Sequence, residues 1–89
     1  MNHSEMELLP NLGAVMAKKL AQAGIETPEQ LRQMGARQAW LCIRRQVDPG
    51  ICLSALQALE GAVRGVRWHD LPTETKQELR EFYKRESKK

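Results

Sequence analysis

Few residues of this 89-residue chain could do covalent chemistry, and their spacing argues against it. His3 and His69 have no nucleophile or metal partner at a recognisable spacing. Ser4, Ser54 and Ser87 stand outside the G-x-S-x-G setting that lifts a nucleophilic serine onto a sharp elbow. Cys42 and Cys52 lack both CxxC spacing and a matching histidine pattern, so both read as reduced, apolar packing residues. No catalytic residue, cofactor site or metal site is expected. Glu60 is the one acid inside the apolar run ALEGA. A buried carboxylate without a partner is very costly, so Glu60 needs one. Arg64, one helical turn on, is the local candidate, together with backbone N–H groups near residues 67–69. The pair reads as a structural buried acid and its cation, locking a helix to the connector after it.

What remains is contact chemistry. Residues 9–31, LPNLGAVMAKKLAQAGIETPEQL, read as a tight turn, a short helix, a glycine stop and a capped second helix. Pro10 fixes its own φ and biases Leu9 toward extended geometry. Gly13 is expected to supply the sharp turn into the first helix. The order L-P-x-L-G, then Leu-x-x-Ala-Gly-Ile-x-Thr, resembles the helix-hairpin-helix units of DNA repair and replication proteins, with Asn11 where their hairpin has its first glycine. That resemblance implies backbone N–H groups presented to a DNA phosphate, an anion site made by a turn and a helix N-terminus. Pro10, Asn11, Gly13 and Lys18 are its candidate contacts. A second candidate surface is basic: Arg37, Arg44 and Arg45, with Arg32 nearby, fall largely outside the apolar stripe of their helix. An ordinary solvated face is the alternative.

The elements that must position these groups are all helical. Val15, Met16, Lys19, Leu20 and Ala23 share one face of a helix over residues 14–23. Gly24 sits where a left-handed helix end is wanted, and Ile25 can close back onto the helix. Thr27, Pro28 and Gln30 form an N-cap, a first-turn proline and a capping box for a helix over 28–34, with Leu31 and Met34 inward. Ala36, Ala39, Trp40 and Ile43 give a buried stripe over 36–46, and Asp48-Pro49-Gly50 makes the next turn. Residues 51–65 are the most apolar helix and the expected centre of the fold. Gly61 within it costs about 1 kcal/mol against alanine, which implies close approach by another helix. Trp68 reads as a core plug in the connector, and Leu79, Phe82 and Tyr83 face inward from a helix starting at 72 or 73 and ending near 85.

Composition bounds the rest. Apolar residues make up 42% of the chain, enough for one small core, and with four aromatics that core must be mostly aliphatic. The chain is therefore an all-α single domain of about five helices: an N-terminal arm over 1–8, the helical domain over 9–85, and a solvated basic tail over 86–89. No apolar run is long enough to span a bilayer, and the start lacks a basic region followed by a long apolar one, so a cytoplasmic location without membrane contact is expected. The net charge of +3 is unevenly spread. Residues 1–30 set Lys18 and Lys19 against Glu5, Glu7, Glu26 and Glu29 and are net acidic. Residues 31–50 set Arg32, Arg37, Arg44 and Arg45 against Asp48 and are net basic.

Taken over residues 9–83, LPNLG, AGI, LRQMGA, ALEGAVRG and WHDLP occur in an order and spacing that resemble the C-terminal domain of the TfoX/Sxy competence-regulator family. The resemblance implies a five-helix domain with a helix-hairpin-helix-like start, and a link to the regulation of DNA uptake genes in bacteria. Full-length members join this domain to an N-terminal α/β domain, so the chain reads as a stand-alone version of the C-terminal module. The function expected is that of a non-enzymatic, transcription-related interaction module. Its partner is either DNA, held by its backbone without sequence preference, or a regulatory protein docked without any nucleic-acid contact.

Overall fold

The computed structural model describes Met6 and residues 8–88; among these residues it contains no strand. Among the described residues, from Ala14 onward, five α-helices follow one another: α1 (Ala14–Gln22), α2 (Pro28–Met34), α3 (Ala36–Gln46), α4 (Leu53–Arg64) and α5 (Thr73–Ser87), with a 3-10 turn at Trp68–Asp70 between the last two. The all-α architecture is as expected. α3 and α4 pack side by side at its centre, α1 and α2 lean on α3, and α5 and the 3-10 turn close over α4.

Local chemistry explains most boundaries. Gly24, at φ +88°, takes the left-handed conformation that ends α1, and the Ile25 N–H reaches the Leu20 carbonyl at 2.8 Å. Ile25 is itself buried, so the helix end and the core close together. At α2 the Thr27 hydroxyl accepts from the Gln30 N–H while the Gln30 side chain accepts from the Thr27 N–H, completing the capping box. Asp48 stabilises the turn after α3: its Oδ1 accepts from the Gly50 N–H at 3.0 Å, and its Oδ2 accepts from Lys19 Nζ at 2.7 Å. One carboxylate thus ties α1 to the α3–α4 turn.

Trp40 organises the core. It is fully buried, donates its indole N–H to the Cys52 carbonyl at 3.1 Å, and meets Phe82 and Tyr83 edge-on at 6.0 and 5.8 Å. One ring therefore joins α3, the start of α4 and α5. Leu20, Leu56, Leu59 and Leu79 are equally buried around it.

Several expectations are corrected. Val15 is 71% exposed, and the buried face of α1 is carried by Ala17 and Leu20 instead. Met34 is exposed, because the two-turn α2 buries Pro28 and Leu31 instead. Cys52 is exposed at the start of α4, offering only its carbonyl to the core, while Cys42 is half-buried. Trp68 is no plug: it stands 44% exposed on the 3-10 turn. Most of the arm over residues 1–8 lies outside the described residues, but Met6 is helical and 1% exposed, so at that point the chain packs into the core rather than fraying. At the other end α5 continues to Ser87 and the Glu86 carbonyl accepts an Arg44 N–H at 2.8 Å, so the expected tail begins inside the helix; Ser87 and Lys88 are exposed, and Lys89 lies outside the described residues.

Candidate functional site

The hairpin before α1 is built by an asparagine rather than a glycine. Asn11 is the residue in left-handed backbone, at φ +71°, whereas Gly13 is extended and has open space where a Cβ would stand. The turn expected at Gly13 therefore belongs to Asn11, one of the few side chains that tolerate this conformation. The Asn11 side chain also reaches across the fold. Its Nδ2 donates to the Val66 carbonyl at 2.9 Å and more weakly to the Ala58 carbonyl at 3.4 Å, and its Oδ1 accepts from the Trp68 N–H at 3.0 Å. These bonds fasten the hairpin to the middle of α4 and to the connector after it.

Gly61 makes that arrangement possible. A Cβ there would collide with Asn11 Nδ2 and stand 2.7 Å from the Val66 carbonyl and 3.2 Å from the Trp68 nitrogen. The close approach inferred for Gly61 is real, but its partners are a side chain and the connector backbone rather than another helix.

Beyond the hairpin, α1 begins without help. Gly13 offers no side-chain cap and the first turn holds no acid. The first helical bond runs from Ala17 N–H to the Gly13 carbonyl, so the N–H groups of Ala14, Val15 and Met16 have no intrahelical acceptor. Gly13, Ala14, Val15 and Lys18 are exposed. A helix N-terminus of this kind carries a partial positive charge and is suited to an anion. Pro10 and Asn11, with Leu8, Gly65, Val66, Arg67 and Asp70, line the shallow depression beside it.

The arginines do not join this surface. Arg37 lies in a separate depression with Arg64, Glu60 and Glu78, and its guanidinium approaches Glu78 at 4.0 Å and the Phe82 ring at 5.8 Å. Arg44 lies over the Trp40 ring at 5.5 Å and donates to the Glu86 carbonyl, so it is engaged within the fold. Arg45 is exposed and lines a third depression with Arg44 and Glu86. Glu60 pairs with Arg64 at 2.6 Å as expected, but it is not a buried acid: the two side chains are 18% and 43% exposed. The N–H of Trp68, one of the donors considered for Glu60, is taken by Asn11 instead. Asn11 as clamp and Trp68 as exposed aromatic are what sequence reasoning missed. The one available signal was Asn11 at a position where a hairpin calls for glycine.

Among the described residues no cluster of His, Cys, Asp or Glu could hold a metal ion, and no helix is long and apolar enough to cross a membrane. The fold and site define an all-α module led by a clamped hairpin. Residues 2–83 match the TfoX C-terminal domain, and the chain belongs to that family. It is 35% identical over 74 residues to protein Sxy of Escherichia coli strain K12, an alignment covering 83% of this chain and 35% of that protein. The chain thus spans about a third of the length of that relative. Two crystal structures from Listeria monocytogenes are close in fold. An uncharacterized protein in a triclinic form shares 43% identity with a TM-score of 0.89, covering 91% of each chain. A protein of unknown function in a tetragonal form shares 44% identity with a TM-score of 0.84, covering 93% of this chain and 96% of the other.

Proposed function

We propose that this domain is a non-enzymatic interaction module of competence-type regulation that holds DNA by its phosphate backbone through the hairpin and the start of α1. The observation that carries this reading is the uncapped, exposed N-terminus of α1, with Lys18 one turn along the helix and the hairpin before it pinned by Asn11. Backbone N–H groups recognise a phosphate without reading bases, so the contact is independent of sequence. Arg44 contributes little to it, because its guanidinium already serves Trp40 and Glu86.

A titration of labelled duplex DNA, followed by fluorescence anisotropy at rising salt, tests the proposal. Ala14→Pro is the informative variant. Proline is well tolerated at the first helical position and removes one of the free N–H donors without disturbing the helix. Loss of one charge-assisted hydrogen bond should weaken binding about tenfold at an unchanged denaturation midpoint. Absence of binding by the wild-type domain even at low salt defeats the proposal. The second reading, a protein-binding adaptor, then takes its place, favoured by Leu8 and Val66, which stand exposed beside the hairpin.

A further inference from the structure

The exposed indole of Trp68 is unusual in a domain that buries its other tryptophan completely. It is also held in place. The Trp68 N–H is bound by Asn11 Oδ1, and its carbonyl accepts the Leu71 N–H at 3.2 Å. The His69 ring stands edge-on to it at 5.3 Å. Lys76 donates to the His69 carbonyl at 2.9 Å and so keeps its ammonium 5.6 Å from the indole centroid. With these neighbours in place, 44% of the tryptophan still faces solvent. The indole is therefore held in one orientation and still has surface for a ligand to cover.

Chemistry around the ring indicates what that is. Arg67 precedes it and is exposed, and Lys76 supplies a second cation; Asp70 and Glu74 are the nearby acids. Through its main-chain N–H, Trp68 is one hydrogen bond from Asn11 in the hairpin, so the residue that carries this ring adjoins the proposed phosphate site. We infer that Trp68 stacks on an unpaired base of a single-stranded nucleic acid whose backbone is held at the hairpin. Base–aromatic stacking with cations along the backbone is how sequence-tolerant single-strand binding works, and every base has a face to offer. In an intact duplex the bases are already stacked on each other, so this surface favours single strands or frayed ends. The inference rests on the DNA-backbone reading and adds to it the class of nucleic acid preferred.

The optical properties of the chain give a direct test. Trp40 is buried, so quenching of tryptophan fluorescence by an added oligonucleotide reports on Trp68. The probes are an oligo-dT strand and a blunt duplex of the same length, titrated against the wild-type domain and against Trp68→Leu and Trp68→Phe. Oligo-dT should quench saturably and bind more tightly than the duplex. Trp68→Leu should lose the quenching and weaken oligo-dT binding by about five- to a hundredfold, with duplex binding unchanged. Trp68→Phe, which keeps an aromatic face, should retain most of the affinity. Oligo-dT binding without quenching, or equal affinity of Trp68→Leu and wild type, overturns the stacking role and leaves the hairpin contact standing. Binding of neither probe overturns both and leaves the indole to a protein partner.

Discussion

Left-handed backbone costs a residue with a Cβ about 1–2 kcal/mol unless its side chain compensates locally. Asn11 adopts it at φ +71°, and its amide compensates by joining the hairpin to Val66 and Trp68. Asn11→Ala loses both the tolerance and the hydrogen bonds, so it should destabilise the domain by about 2–4 kcal/mol in urea denaturation. Asn11→Gly keeps the conformation and loses only the bonds; it should lie about 1 kcal/mol above Asn11→Ala, and the reverse order would show that the backbone at this position is relaxed. Gly61 makes the complementary case. Helix propensity alone says that Gly61→Ala gains about 1 kcal/mol. With the Val66 carbonyl 2.7 Å from the added carbon, the substitution should instead lower the thermal midpoint. At this scale the sequence was informative only where partners are close along the chain. The Thr27–Gln30 box and the Glu60–Arg64 pair could be read directly. The reach of Asn11 to residue 68 could not, because nothing local marks a partner that distant.

Between elements, the tie from α1 to the α3–α4 turn depends on pH. The Lys19 ammonium, and after it the Gly50 N–H, hold the Asp48 carboxyl below the usual carboxylate range. A group whose pKa is depressed by folding stabilises the native state above its unfolded pKa, near 3.9 for aspartate, and loses that contribution as pH falls through the folded value. Asp48→Asn should therefore have a lower denaturation midpoint than wild type at neutral pH, with the gap closing below about pH 4. A gap that stays constant into acid would assign the effect to geometry rather than charge. The exposed Glu60–Arg64 pair is a weaker device, worth about 0.3–0.5 kcal/mol. Helix spans were readable because periodicity agrees with the Thr27 cap and with the glycine stops at Gly24, Gly35 and Gly65, and the stripe Ala36, Ala39, Trp40 and Ile43 is buried as its spacing implies. The inward face of α1 was misjudged at Val15, since β-branched bulk does not fix how a short helix is rotated about its axis.

Over the whole molecule, the net charge of +3 is divided among cations with different commitments. Arg37, Arg64 and Lys19 face carboxylates and Arg44 is held against Trp40 and Glu86, whereas Arg32 and Arg45 are exposed, so the basic middle of the sequence becomes a basic surface only in part. A count along the chain could place the charge but not its partners, which sit on other helices. Family membership was legible in motifs spread over most of the chain; the candidate contact surface was legible at the hairpin and not at Trp68. The central claim is that DNA is held at the hairpin and the first turn of α1. The most direct test is an amide N–H correlation spectrum of isotope-labelled domain, recorded as a short DNA duplex is added at low salt. Shifts should be largest at Gly13, Ala14, Val15, Met16 and Lys18, and should reverse as salt is raised. A spectrum that does not change, or one that changes only around Arg37, Arg44 and Arg45, would contradict it.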